Sequence, residues 1–124
     1  MKTNSLQLNL NNRLVDFTNP VVMGIVNVTP DSFFSDNRFA THKAVLKAVE
    51  TMIQDGAGII DIGGYSTRPS AEVVTQDEEI RRLSDGLEVI LKRFPDVVVS
   101  VDTFRSGVAR HVVTNFGVAM INDV

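Results

Sequence analysis

Four short apolar runs alternate with three amphipathic segments along this 124-residue chain, and this alternation most limits the fold it can adopt. The apolar runs occupy residues 21–26, 58–62, 97–101 and 118–121. Continuous apolar runs are typical of strands that are covered on both faces. The order β-α-β-α-β-α-β predicts an α/β fold with parallel strands and right-handed crossovers.

The segments between the runs have the apolar spacing of helices that bury one face. The first helix is expected to begin at a Thr41 cap and to stop near Gly56. The second begins at a capping box, residues 75–78, whose Thr and Glu side chains can satisfy each other's backbone donors. The third is expected to stop at Gly117.

The N-terminal segment predicts a short β-hairpin. Leucines alternate with polar residues over residues 6–10, and Asn11-Asn12 supplies a turn. We therefore expect a hairpin in residues 1–20, followed by four strands and three helices of one incomplete domain in residues 21–124.

Two architectures fit this order of elements, a doubly wound open sheet and part of a (β/α)₈ barrel. A complete barrel needs roughly 250 residues, about twice the length of this chain. The sequence also ends soon after Ile121, before a helix that could cover the last strand. We interpret this as truncation.

Composition argues against several classes of function. The chain has a formal net charge of −3 and no clustered Lys and Arg, so we expect no nucleic-acid partner. The absence of Cys excludes disulfides, thiolate nucleophiles and Cys-based metal sites. The polar N-terminus and the lack of a long apolar stretch predict a cytoplasmic protein without a membrane partner.

Each predicted strand ends in a short polar residue: Asn27, Asp61, Asp102 and Asn122-Asp123. Any one of them could simply cap the following helix. Four at the same end of a parallel sheet favour a polar ligand site, because ligands bind at the carboxyl ends of such strands. Carboxylates and amides suit a flat heterocycle rich in N–H donors, or an oxygen-preferring ion such as Mg²⁺.

The loops after the first two strands add further candidates. Phe33 and Phe34 lie in a long polar loop, where they could cover a bound ring or tuck beneath the loop. Arg68 follows Gly63-Gly64 and could bind phosphate or carboxylate, or could be a solvated surface residue. His42 and His111 fall on predicted helices away from the strand ends, where packing or solvation is expected.

The strand ends and loops together resemble the signatures of dihydropteroate synthases. The resemblance is carried in order by residues 23–33, 60–69, 100–103 and 121–123. It implies the N-terminal half of a (β/α)₈ TIM barrel from a transferase of folate biosynthesis. That enzyme joins p-aminobenzoate to 6-hydroxymethyl-7,8-dihydropterin pyrophosphate and releases pyrophosphate. The resemblance also implies a homodimeric full-length protein in which sulfonamides compete for the aminobenzoate place.

The resemblance further implies roles for individual residues. Asn27 would bind Mg²⁺ and the pyrophosphate, Asp102 and Asn122 would hold the pterin edge, and Asp61 would support the floor of the site. Thr67 and Arg68 would take part in catalysis. The remaining substrate contacts would come from the two loops, through Pro69 of the second and Phe33 and Asp36 of the first.

The sequence departs from the family pattern in its loops. Tyr65 stands where Glu is usual, and Asn37-Arg38 replaces the usual glycines after Asp36, which makes Asp36 an uncertain match. A later Asp, a Lys and an Arg–His pair of the family belong to strands beyond residue 124. We therefore predict that this chain has no useful turnover by itself.

Two other interpretations remain open. A pterin-dependent methyltransferase shares the barrel and the ligand class, although residues 29–33 and 66–69 point away from it because methyl transfer needs no pyrophosphate clamp. A non-catalytic half-barrel that binds a ligand or pairs with a second half is the other alternative.

Overall fold

The computed structural model describes residues 7–28, 38–64 and 73–123, with side chains from residue 42 onward in the middle range. An N-terminal hairpin is formed by β1 (Gln7–Leu10) and β2 (Arg13–Asp16), which pair antiparallel. Asn11 and Asn12 both have positive φ, 54° and 64°, as a two-residue hairpin turn requires. The predicted hairpin is confirmed.

The main sheet contains four parallel strands in chain order. They are β3 (Val22–Asn27), β4 (Ala57–Gly63), β5 (Val99–Asp102) and β6 (Met120–Asn122). A doubly wound sheet needs a reversal of strand order, and these four strands contain none. Right-handed crossovers between successive neighbours place their helices on one face, as in a (β/α)₈ barrel.

Three helices connect the strands: α1 (Arg38–Gln54), α2 (Gln76–Arg93) and α3 (Ser106–Phe116). The prediction that Thr41 caps the first helix is wrong, because α1 begins three residues earlier. Residues 38–40 contain neither Gly nor Pro, so no helix breaker stops the helix at Thr41. No described helix is both long and apolar enough to cross a bilayer.

The predicted start of α2 after Thr75 and the predicted end of α3 at Gly117 are confirmed. The Thr75 side chain accepts a hydrogen bond from the Glu78 amide at 3.2 Å, as in the first half of a capping box. The Glu78 carboxylate binds Arg81 and Arg82, whereas the capping box predicted a bond back to Thr75. Gly117 ends α3 with φ 62°, in the left-handed region that favours glycine.

The hydrophobic core lies between the sheet and its helices. Alternate residues of the strands, including Val26, Ile60, Ile62 and Val101, pack against the helices. Because successive strand side chains point to opposite faces, Asp61 and the strand-end polar residues share the other face. Helix α2 is central, since it contacts both α1 and α3.

Gly86 permits close contact between α2 and the residue that follows β3. A Cβ atom at Gly86 would lie 2.7 Å from Cγ1 of Val28, which is buried and stiff at χ1. This glycine therefore fixes how near α2 can approach the start of the first loop.

We expect Gly86→Ala to destabilise the fold, although helix propensity alone favours Ala by about 1 kcal/mol. Overpacking against Val28 should cost about 1–3 kcal/mol, which exceeds that gain at all but its lowest value. Urea denaturation of the protein expressed from its full gene would measure the difference. The double variant Gly86→Ala/Val28→Ala should be less destabilised than the two single changes added together, because the smaller residue 28 removes the clash and the methyl group added at position 86 fills part of the space that Val28→Ala leaves. A Gly86→Ala protein more stable than wild type would contradict this account of the packing.

Candidate functional site

Four residues form a row across the carboxyl ends of the parallel strands. Asn27 is paired in register with Gly63, Gly63 with Asp102, and Asp102 with Asn122. Side chains in register on neighbouring strands point to the same face, so Asn27, Asp102 and Asn122 share the face opposite the helices. Asn27 is exposed, and the other two are half-buried.

Gly63 leaves a gap in this row. A Cβ atom there would lie 3.3 Å from Asn27 Oδ1 and 3.9 Å from Asp102 Oδ2. Any larger residue would place atoms between the amide and the carboxyl group. A small open space therefore separates the polar side chains of Asn27 and Asp102 in the row.

A buried pair lies one layer below the row. Asp61 and Ser100 are in register on β4 and β5, and they are only 2% and 0% exposed. The Ser100 hydroxyl donates to Asp61 Oδ1, and Asn122 Nδ2 donates to Asp61 Oδ2 at 3.3 Å. Asp61 thus connects the lower layer to one member of the row.

Negative charge is concentrated at this end of the sheet. Burial raises the pKa of the Asp102 carboxyl above its ordinary value of 3.8, and the nearby charges of Asp61, Glu79 and Asp123 raise it further. A site of this kind favours ligands that donate hydrogen bonds or carry positive charge.

A second buried network supports the loop after β5. Glu79 of α2 is fully buried and accepts hydrogen bonds from Thr103 Oγ1 at 2.7 Å and from Arg105 Nη1 at 2.9 Å. Arg105 Nη2 also donates to the Val74 carbonyl oxygen at 2.7 Å. The residue directly after Asp102 is therefore tied to the first turn of α2.

Sequence reasoning missed this network. Glu79 lies four residues before Leu83 and eight before Leu87, so it occupies the apolar stripe of α2. A charged residue on an otherwise apolar stripe is unusual unless it is paired, and this signal could have identified Glu79. Nothing in the sequence pattern identified Arg105 as its partner.

The two histidines lie on the outer helices, as expected. His42 Nε2 is 2.7 Å from Asp85 Oδ2, which links α1 to α2. His111 Nε2 is 3.3 Å from Ser84 Oγ, which links α3 to α2. Both roles are structural contacts between helices.

Several residues predicted for the site lie outside the described part of the chain. They are Phe33, Asp36, Thr67, Arg68 and Pro69, and their roles stay predictions. Within residues 7–28, 42–64 and 73–123, no three His, Asp or Glu side chains are grouped to hold a metal ion.

Comparison with known proteins agrees with this geometry. The family model described as "Pterin binding enzyme" matches residues 23–124. The dihydropteroate synthase of Haemophilus influenzae is 42% identical over 119 residues, which cover 96% of this chain and 42% of that protein. The dihydropteroate synthase of Bacillus subtilis is 50% identical over 105 residues, covering 84% of this chain and 36% of that protein.

Solved structures give the same result for the fold. The Xanthomonas albilineans dihydropteroate synthase, solved with 4-aminobenzoic acid, is 42% identical and superposes with a TM-score of 0.82. The match covers 97% of this chain and 43% of that one. The motif resemblance and the barrel fold are confirmed, and the chain spans about two-fifths of the length of these relatives.

We expect Asp102→Asn to stabilise the protein near neutral pH. Because its pKa is raised in the fold, the charged form is less favourable there than in the unfolded chain, and a neutral isostere removes this penalty. The unfavourable contribution of the Asp102 carboxyl group to stability should disappear as pH falls through its folded pKa, so the difference between Asp102→Asn and wild type should shrink in acid. Thermal unfolding at about pH 7 and about pH 4 would measure both effects.

Glu88→Gln is the matched control, since Glu88 is exposed on the outer side of α2. It should change the free energy of unfolding by less than about 0.5 kcal/mol at either pH. A loss of stability in Asp102→Asn at neutral pH would contradict the electrostatic account.

Proposed function

Because this chain belongs to the pterin-binding enzyme family, we propose that it forms the pterin-binding part of a dihydropteroate synthase. The observation that carries the proposal is the row of Asn27, Gly63, Asp102 and Asn122 at adjoining strand ends. The full-length protein would join p-aminobenzoate to 6-hydroxymethyl-7,8-dihydropterin pyrophosphate. Dihydropteroate and pyrophosphate would be the products, and sulfonamides would compete with p-aminobenzoate.

The chemistry of the row suits a dihydropterin. Asp102 supplies acceptor oxygens for ring and amino N–H groups, and Asn122 can supply a further acceptor. Departure of pyrophosphate leaves positive charge on the pterin methylene and ring. The concentration of carboxyl groups that raises the pKa of Asp102 would stabilise that charge as it develops.

Asn27 is the residue that we propose for Mg²⁺. Its Oδ1 is a hard oxygen donor on an exposed side chain next to the Gly63 gap. Mg²⁺ often takes only one or two protein ligands and completes its shell with water and substrate phosphates. The bound ion would neutralise charge on the departing pyrophosphate. Arg68 would donate hydrogen bonds to the same pyrophosphate.

The reaction needs no protein nucleophile under this proposal. The chain's own residues bind and orient the pterin, while p-aminobenzoate supplies the attacking nitrogen. Thr67, Arg68 and Pro69 would belong to the loop that contacts both substrates. Residues beyond position 124 of the full-length protein would complete the catalytic site.

Two alternatives make different predictions. A pterin-dependent methyltransferase would transfer a methyl group without releasing pyrophosphate. The relatives named dihydropteroate synthase favour the condensation that releases pyrophosphate. An assay of pyrophosphate release by the full-length protein separates the two. A gene that stops at residue 124 would instead favour a half-barrel binding module.

In the full-length protein we expect Asp102→Ala to weaken dihydropterin pyrophosphate binding by at least tenfold, and Asn122→Ala by about fivefold. Each change removes a hydrogen-bond partner worth about 1.5–3 kcal/mol when charged, or about 1 kcal/mol when neutral. Calorimetric titration in the presence of Mg²⁺ would measure the affinity, with Glu88→Gln as a control that should bind like wild type. Unchanged affinity in both Ala variants would rule out the row as the pterin site.

We also expect Gly63→Ala to impair binding without unfolding the protein. The new methyl group would enter the gap, 3.3 Å from Asn27 Oδ1. The fold should tolerate alanine, because the backbone of Gly63 is not in the left-handed region that requires glycine. The same titration should give a dissociation constant at least tenfold higher, with a thermal midpoint within a few degrees of wild type. Wild-type affinity in Gly63→Ala would show that the gap is not used.

A further inference from the structure

We propose that Asp61 is a positioning residue that fixes the side-chain orientation of Asn122, so that Asn122 presents its carbonyl oxygen to the ligand. This inference rests on the pterin-binding role proposed above. Asp61 is 2% exposed, which leaves its carboxyl group too deeply buried to be a direct contact for a bound ring. Its influence on the ligand must pass through a neighbour.

The amide of Asn122 has two chemically different ends. Its NH₂ group can only donate hydrogen bonds, and its oxygen can only accept them. Asp61 Oδ2 accepts from Asn122 Nδ2 at 3.3 Å. The NH₂ end therefore turns down toward Asp61, which leaves the oxygen free to face N–H donors in the site.

Ser100 fixes the other half of the Asp61 carboxyl group. The fully buried Ser100 hydroxyl donates to Asp61 Oδ1, so Oδ2 is the oxygen left for Asn122. Two donors, Ser100 of β5 and Asn122 of β6, therefore converge on the Asp61 carboxyl group of β4, and each donates to a different oxygen.

The bond between Asp61 and Asn122 spans a strand. β4 and β6 are not neighbours, because β5 lies between them. In a flat sheet two such strands would be about 9–10 Å apart. The contact therefore depends on inward curvature of the sheet, which brings the ends of these side chains together on the face opposite the helices.

Asp61→Asn provides an isosteric test of this orientation. Ser100 would still donate to Oδ1 of the new amide, so its NH₂ group would face residue 122. Asn122 would then have to turn its oxygen toward position 61 and its NH₂ group toward the ligand. We expect the affinity for dihydropterin pyrophosphate to fall at least tenfold, since the NH₂ group of Asn122 would then face an N–H donor of the ligand.

The reciprocal variant Asp61→Asn/Asn122→Asp supplies the rescue. The new amide at position 61 can donate to the carboxylate at position 122, whose other oxygen then faces the ligand as an acceptor, and the net charge is unchanged. We expect affinity within about threefold of wild type. Asn122→Asp alone should bind poorly, because it places two carboxyl groups within about 3–4 Å of each other.

Calorimetry of the four full-length proteins, with thermal midpoints measured in parallel, tests the proposal. Wild-type affinity in Asp61→Asn would overturn it. A double variant that binds no better than Asp61→Asn would also overturn it, because Asp61 would then act through its own charge rather than through Asn122. A purely structural role would change the thermal midpoints without producing the reciprocal rescue of affinity.

Nuclear magnetic resonance gives a readout that needs no ligand. In wild type, hydrogen exchange of the Asn122 Nδ2 protons should be slowed by the Asp61 carboxyl group, and exchange should be at least tenfold faster in Asp61→Asn. Equal exchange rates in the two proteins would overturn the inference. If the exchange difference is found but wild type binds no pterin, the proposed function fails while the positioning role of Asp61 stands.

Discussion

The register of the four parallel strands is the constraint on which the candidate site depends. A shift of one residue would move every side chain to the opposite face of the sheet. The apolar residues Val26, Ile62 and Val101 prevent such a shift, because it would expose them and bury polar groups against the helices. The same packing therefore aligns Asn27, Gly63, Asp102 and Asn122 in one row.

The site also contains buried carboxyl groups, whose burial by itself would destabilise the fold. Asp61 and Glu79 are buried carboxyl groups, and a buried carboxyl group is costly unless it is hydrogen-bonded or paired. Ser100 and Asn122 donate to Asp61, and Thr103 and Arg105 donate to Glu79. Asp102 remains half-buried with a raised pKa, so a ligand that donates hydrogen bonds relieves a cost that is already present in the fold.

The sequence predicted the elements better than the contacts between them. Strands and helices follow from local apolar spacing. The polar residue after each apolar run marks the strand ends, so the sequence predicts that Asn27, Asp102 and Asn122 lie there. The predicted start of α1 at Thr41 is wrong, because no local sequence signal marks the observed start at Arg38. The bond between Asp61 and Asn122 could not be predicted, because it depends on sheet curvature across an intervening strand. The partners of Glu79 likewise depend on how α2 and α3 pack.

Described residues on both sides of positions 65–72, which include the Thr67–Arg68–Pro69 motif, are held close to Glu79 of α2. At one end, Gly64 lies so near α2 that a Cβ atom there would be 3.3 Å from the Glu79 carbonyl oxygen. At the other end, Arg105 holds the Val74 carbonyl oxygen while it binds the Glu79 side chain. Because Glu79 also binds Thr103, directly after Asp102, one buried carboxyl group links the base of the second loop to the strand end proposed to hold the pterin.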